Sequence, residues 1–371
     1  MSTRKDKFSI KDKNYMRLAL NLARARRGLT GNNPSVGCVI VKSNRIISIG
    51  QTGFKGRPHA ESNAIINSCE ELKGSKMYVT LEPCNHYGKT PPCTTTIIKS
   101  GVSEVFYCIN DIDKRVKGKS FKILSKKKIK VKKGLLRKEA KNFYYSYEKN
   151  KLNKMPYVTG KIAVSKNNLI YSDKARKITD QTSDKLTHFL RYKNDAIMIS
   201  SKTLNIDNPR LNCRLKGYEK PIPKRIILDK NLDIKLNTYI LKTTKKKNTI
   251  IFHNSSQKKK INILKKRGVN LIKCKLDINK HFNLREILCK IYKQGIRNLL
   301  VEGGNQITQD FIKKRLFDQF YLFKSTRNLF KGKDYQTFTS LSILNINYNN
   351  KNKITSKLVK DKITIYKRQN V

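Results

Sequence analysis

The 371-residue chain has no tryptophan, and only 26 aspartates and glutamates face 82 lysines and arginines, a formal charge of +56. It contains no apolar run of the roughly 18 to 20 residues that cross a bilayer. Its start, "MSTRKDKFSIKDKNY", has no apolar signal core. No membrane partner is expected, and a soluble cytoplasmic protein is. Also lacking is a dense basic patch interleaved with aromatics. Lysine is spread through loops, helices and tail beside Asn and Ile, as in "LNINYNNKNKITSKLVKDKITIYK". An excess spread this way reads as compositional drift rather than a nucleic-acid footprint, while phosphorylated small molecules would still gain from the field. There is no internal repeat. Hydrophobic residues at 38% are few but enough for folded domains of this size, and the length favours two.

Helical and strand periodicities alternate along the first 150 residues. "NYMRLALNLARAR" places Met16, Ala19, Leu20 and Ala23 on one helical face. "VGCVIVK" and "RIISIGQ" read as strands pairing across "SN". The helix "AESNAIINSCEEL", the strand "KMYVTLE", the helix "TTTIIKSG" and the strand "VSEVFYCI" follow. This predicts a three-layer α/β domain with a mostly parallel core over 8–149. The polar "SYEKNKLNKMPYVTGK" predicts a linker at 150–156. A second α/β pattern occupies 157–371, with strands such as "YVTGKIAVS", "DAIMISS" and "NLLVEGG" and an antiparallel pair at the end.

The eight cysteines are Cys38, Cys69, Cys84, Cys93, Cys108, Cys213, Cys274 and Cys289. In a reducing compartment, cysteines clustered with histidine point to metal rather than to disulfides. "PHAE" followed by "EPCNHYGKTPPC" supplies His59, Cys84 and Cys93. One imidazole and two thiolates leave the fourth tetrahedral position open, as catalytic zinc requires, and zinc lowers the pKa of bound water toward about 7. Glu61, beside His59, suits the proton shuttle. Pro58 favours a first helical turn, so His59 and Glu61 would straddle a loop-to-helix junction. Alone, "PHAE" reads as a polar helix start and the two cysteines as loop residues; their order and shared setting make the difference. His86 and Cys69 are the remaining local ligand candidates. A substrate-facing or loop role is preferred for His86, and Cys38, Cys69 and Cys108 are read as core. The zinc-deaminase signature H-x-E…P-C-x-x-C fits except for its second spacing, since eight residues separate Cys84 from Cys93.

That longer spacing, with "NPSVGCVIV" upstream and "NDIDKRVKGKSFKIL" downstream, resembles the bifunctional riboflavin-biosynthesis deaminase/reductases. The resemblance implies a cytidine-deaminase-like three-layer α/β/α domain followed by a dihydrofolate-reductase-like α/β domain. It extends through "THFLRYKNDAIMI", "TLNIDNPRLNCR" and "LLVEGGNQITQDFI". By that resemblance Asn33 contacts the deaminase substrate. Ala163, Thr203, Asp207, Gly303, Gly304 and Asn305 would bind NADPH, and Leu211, Arg214 and Glu302 the ribosylamino-pyrimidine. Zinc and NADPH are the implied cofactors, and a homo-oligomer is expected. The implied reactions are hydrolytic deamination of 2,5-diamino-6-(5-phosphoribosylamino)pyrimidin-4-one and NADPH-dependent reduction of its ribosyl group, giving 5-amino-6-(5-phosphoribitylamino)uracil. The second half departs from the family pattern: Lys166, Asn167 and Asn168 replace Leu, Asp and Gly, and "ARKIT" lacks the usual Ser and Trp. Further departures are Ser183-Asp184, where "AR" is typical, and Lys230 after Leu228-Asp229. A lost turn glycine and lost stacking are expected to weaken binding there. The alternatives are a deaminase with an eroded reductase half, a tRNA or nucleotide deaminase with a basic RNA-binding half, and a purely structural zinc protein.

Overall fold

The computed structural model describes residues 7–368 except 89, 175–176, 246–247 and 355–359. The chain divides into two compact units, Met1–Lys154 and Met155–Val371.

The first unit runs α1 (Ile10–Arg26), β1 (Gly37–Lys42), β2 (Arg45–Gln51), α2 (Ala60–Ile66), β3 (Lys76–Leu81), α3 (Cys93–Lys99), β4 (Glu104–Ile109), α4 (Lys119–Lys126), β5 (Lys130–Lys133) and α5 (Arg137–Asn153). Ser9 and Asp12 form a capping box that starts α1. Met16, Ala19, Leu20 and Ala23 are its buried face, as the periodicity predicts. Burying a side chain the size of Met16 or Leu20 contributes roughly 1.5–3 kcal/mol. Ser43 and Asn44, both at positive φ, form the two-residue turn between β1 and β2, a backbone that matches strand twist.

The sheet order is β2-β1-β3-β4-β5. It is not mostly parallel: β1 is antiparallel to both neighbours, and only the β3–β4 and β4–β5 pairs are parallel. Tight turns and continuous apolar runs serve either direction, so pattern alone did not separate them. Helices cover both faces. A Cβ on Gly37 would meet the α1 backbone, whereas one on Gly50, directly opposite Cys38, would meet the α2 backbone. Successive residues Gly37 and Cys38 face opposite ways, so α1 and α2 lie on opposite sides. Helix α5 extends through Asn153, so the first four residues of the expected 150–156 linker are helical.

The second unit contains β6 (Tyr157–Val164), β7 (Leu169–Ser172), α6 (Gln181–Tyr192), β8 (Ala196–Ser200), α7 (Ser201–Asp207), β9 (Lys224–Leu228), α8 (Tyr239–Lys242), β10 (Thr249–His253), α9 (Lys258–Lys266) and β11 (Asn270–Lys273). It continues with α10 (Leu284–Lys293), β12 (Asn298–Val301), α11 (Asn305–Lys313), β13 (Gln319–Lys324), β14 (Tyr335–Thr337), α12 (Leu341–Asn347), β15 (Asn350–Ile354) and β16 (Lys362–Lys367). A nine-stranded sheet has the order β11-β10-β9-β8-β12-β6-β13-β16-β15. The seven strands from β11 to β13 are parallel, and β16 and β15 add antiparallel at one edge. The expected terminal antiparallel pair is this edge. Strands β7 and β14 form a separate two-stranded ribbon.

Candidate active sites

In the first unit three segments bring the candidate metal-ligating side chains together. His59 is the N-cap of α2, Cys84 lies in the loop after β3, and Cys93 is the first residue of α3. Their ligand atoms all lie within 4.8 Å of one another. His59 Nδ1 is 3.3 Å from Cys93 Sγ and 3.6 Å from Cys84 Sγ, and the Cys93 N–H donates to Cys84 Sγ at 3.3 Å. No fourth His, Cys, Asp or Glu joins the group among the described residues. Pro58 precedes the N-cap instead of occupying the first turn, so the bend falls at His59 itself.

The Cys93 thiol donates to Cys84 and, with the nearby His59, pulls the Cys84 thiol down to about 4 despite its burial. The same hydrogen bond and burial push Cys93 up. One thiolate sharing a proton with its neighbour is a donor set suited to a divalent soft ion. Glu61, in the first turn of α2, is almost wholly buried. Burial raises its carboxyl to about 7, although the neighbouring imidazole opposes the rise.

A cavity of about 360 Å³ adjoins the trio and is lined by Asn33, His59, Glu61, Cys84 and His86. Asn33 is held on its wall by a 2.9 Å hydrogen bond from its amide to the Gly56 carbonyl. Gly56 sits at φ +94, and a Cβ there would strike the Asn33 side chain. His86 lines the cavity with a buried Nδ1 that has no hydrogen-bond partner, in keeping with a substrate-facing position. Cys38 and Cys108 are buried, but Cys69 is exposed, because α2 stops at Ile66 and leaves it beyond the helix.

Two positioning groups escaped the sequence reading. Glu82 is buried and accepts the backbone N–H groups of Asp111, Gly118 and Ser120 at 3.2, 2.9 and 3.1 Å. It ties the loop after β4 to the loop carrying Cys84. Tyr147 of α5 donates to Asp111 at 3.2 Å, and both line the cavity. "TLEPC" contained Glu82, but an acid before Pro-Cys does not announce three backbone partners far along the chain.

In the second unit a cavity of about 740 Å³ opens at the carboxyl ends of β6, β8 and β12, where parallel sheets place ligands. Ala163, Thr203, Asp207, Glu302, Gly303, Gly304 and Asn305 all line it. Gly304 caps α11, and its N–H donates to Thr203 Oγ1 at 3.3 Å. A Cβ on Gly303 would lie 1.7 Å from Ile307 Cγ2, so only glycine fits this turn. The Asn305 side-chain oxygen is buried without a partner. A turn free of side chains at a helix N-terminus fits a dinucleotide phosphate.

Leu211 and Arg214 are not among the residues lining that cavity. Leu211 is buried and Arg214 exposed, its N–H donating to His188 Nδ1 at 3.3 Å. Arg191 links their loop to Glu302. It makes two 2.7 Å contacts to the Glu302 carboxylate and a third, at 3.3 Å, to the Asn212 carbonyl. Burial pushes the Glu302 carboxyl up, but Arg191 and Lys161 more than offset it and hold the group below its usual range. Burial pushes the Lys161 ammonium down, partly opposed by Glu302.

The departures at residues 166–168 do not open the structure. Asn168 takes the turn at φ +63, a conformation Asn tolerates. Asn167 is held by two hydrogen bonds with the Leu329 backbone, at 2.9 and 3.1 Å. The turn is thus formed without its usual glycine. Asp184 pairs with Lys177 at 2.8 Å. Asp229 is buried and accepts from the Asp233 and Ile234 N–H groups. Ala175 and Arg176 of "ARKIT" lie outside the described residues.

Comparison with known proteins identifies both domains. Residues 9–109 match the cytidine and deoxycytidylate deaminase zinc-binding region, and residues 156–329 match the RibD C-terminal domain. Riboflavin biosynthesis protein RibD of Aquifex aeolicus is 36% identical over 86% of this chain and 88% of its own length. The chain belongs to the RibD family.

The RibD protein of Actinobacillus pleuropneumoniae is 33% identical over 88% of this chain and 86% of its own. Acinetobacter baumannii RibD superposes with a TM-score of 0.79 at 26% identity, over 97% of this chain and 99% of that one. A Thermotoga maritima diaminohydroxyphosphoribosylaminopyrimidine deaminase/5-amino-6-(5-phosphoribosylamino)uracil reductase gives a TM-score of 0.79 at 28% identity, again over 97% and 99%. RibD membership accords with the expected cytidine-deaminase-like and dihydrofolate-reductase-like folds and makes the chain an enzyme with a deaminase and a reductase domain. It favours that reading over an RNA-directed deaminase or a structural zinc protein. No described helix is long and apolar enough to cross a membrane.

Proposed function

We propose that the first unit hydrolyses the 2-amino group of 2,5-diamino-6-(5-phosphoribosylamino)pyrimidin-4-one to release ammonia, and that the second reduces the ribosyl group to ribityl with NADPH. The observation that carries the reading is the convergence of His59, Cys84 and Cys93 beside a buried Glu61 in one cavity. His59, Cys84 and Cys93 would hold zinc, which when bound supplies a water activated at neutral pH. Glu61, buried beside the metal-ligand candidates, can take a proton from that water and return it to the departing amine. Asn33 and His86 face the pyrimidine from the cavity wall.

In the second unit the Gly303-Gly304 turn, Thr203 and Asn305 would hold NADPH, which when bound supplies the hydride. Asp207 and Ala163 line the same cavity. Glu302, locked by Arg191, accepts hydrogen bonds from the sugar. Lys161, with its lowered pKa, supplies the proton that the ring oxygen needs as the sugar opens. Leu211 and Arg214 shape the loop that Arg191 ties to Glu302. The deaminase assignment is tested with Glu61→Gln. Bound zinc, read by atomic absorption, stays at the wild-type level while ammonia release falls by about 10²–10⁴-fold. Retained ammonia release would refute the proton role of Glu61.

A further inference from the structure

The reductase cavity is walled on one side by the β7–β14 ribbon, and this ribbon supplies its single aromatic side chain among the described lining residues, Tyr171. Ile170 packs into the core beneath the ribbon. Ile170 also borders the cavity, and its neighbour Tyr171 lines it as well. Gln336 of β14 stands directly opposite Tyr171 and also lines the cavity, so the pair shares one face. Two isoleucines on the same cavity, Ile178 and Ile206, remain partly or largely exposed, Ile206 at 47%. Tyr171 is itself only half-buried. A wall that leaves one phenol face and two aliphatic side chains to solvent, in a cavity otherwise rich in polar groups, is built to be covered by a flat apolar surface.

We propose that Tyr171 is a stacking residue of the reductase site, its ring packing against a flat conjugated heterocycle, with Gln336 beside it to meet the ring's polar edge. This rests on the reductase reading above. Both ligands of that reaction carry such a ring, the nicotinamide of the cofactor and the pyrimidine of the substrate. The shared chemistry is a π-face that prefers an aromatic partner to water.

The test uses the full-length protein. NADPH is titrated against wild type, Tyr171→Ala, Tyr171→Leu and Tyr171→Phe, following the cofactor's own fluorescence, which no tryptophan obscures. The KM for the deaminated pyrimidine is measured in parallel. Ammonia release from the diamino substrate, a property of the other unit, and circular dichroism confirm that each variant is folded. Tyr171→Ala and Tyr171→Leu are expected to weaken one ligand by about tenfold, with Tyr171→Phe within about twofold of wild type. A change in NADPH binding assigns a ring of the cofactor; a change in pyrimidine KM alone assigns the pyrimidine. Unchanged constants in Tyr171→Ala overturn the proposal. So does a Tyr171→Phe protein as impaired as the alanine variant, since the hydroxyl would then be what matters, or a Tyr171→Leu protein as good as wild type. A wild-type protein that binds no NADPH would instead sink the reductase reading on which the proposal stands.

Discussion

The two sites are assembled in different ways. The deaminase centre takes its candidate ligands and proton carrier from 35 consecutive positions, His59 to Cys93, each at a loop or at a helix start. The reductase cavity gathers residues from Lys161 to Thr337, contributed by the ends of several strands and by a separate ribbon. A short site keeps its signature intact or loses it outright. A dispersed site can lose signature residues while the backbone keeps its shape, as Asn167 and Asn168 show at a turn where glycine is usual.

The largest expected effect breaks the comparison cleanly. Cys84→Ala removes a candidate metal ligand, and deamination should fall at least a thousandfold with loss of bound zinc, while reduction of the deaminated pyrimidine continues. Parallel loss of both activities would show that the sites are not independent. Next is Arg191→Ala, which strands the Glu302 carboxylate. Removing one partner of a buried pair costs about 3–5 kcal/mol, so the reductase unit should melt earlier and reduction should drop, with ammonia release preserved. An unchanged melting profile would mean that the pair contributes little.

A pH series sharpens the contrast from the deaminase side. The folded Glu61 carboxyl is raised from 4.5 to about 7 in the metal-free protein, so the native state binds a proton that the unfolded chain releases. The Glu61 contribution to stability is then fully present below about 4.5 and is lost as pH rises through about 7. Glu61→Gln should flatten this slope in thermal melts of metal-free protein; an unaltered slope would place its source elsewhere. The smallest effect tests how the turn tolerates change. Asn168→Gly should stay within about 0.5 kcal/mol of wild type, whereas Asn168→Val, forced to positive φ, should cost about 1–2 kcal/mol.

What was legible in the sequence follows the same division. Helix α1, the β1–β2 hairpin and the His59/Cys84/Cys93 trio were readable because periodicity, turn chemistry and ligand type are local properties. The direction of β1 relative to β3 was not, since an apolar run of Cys38 to Val41 reads alike in either orientation. Cys69 was misplaced because the pattern carried α2 past its end at Ile66. Glu82 and Tyr171 escaped notice, and Arg191 was read only as part of the "THFLRYKNDAIMI" motif with no role, for one shared reason. Their partners lie 29 or more residues away, on the loop after β4, at the end of β12 and on β14.

The central claim, that both sites work in one chain, is tested most directly by incubating the protein with the diamino substrate and identifying products with and without NADPH. The account predicts deaminated, unreduced pyrimidine without the cofactor and the deaminated ribityl product with it. Deaminated but unreduced product under both conditions would contradict it.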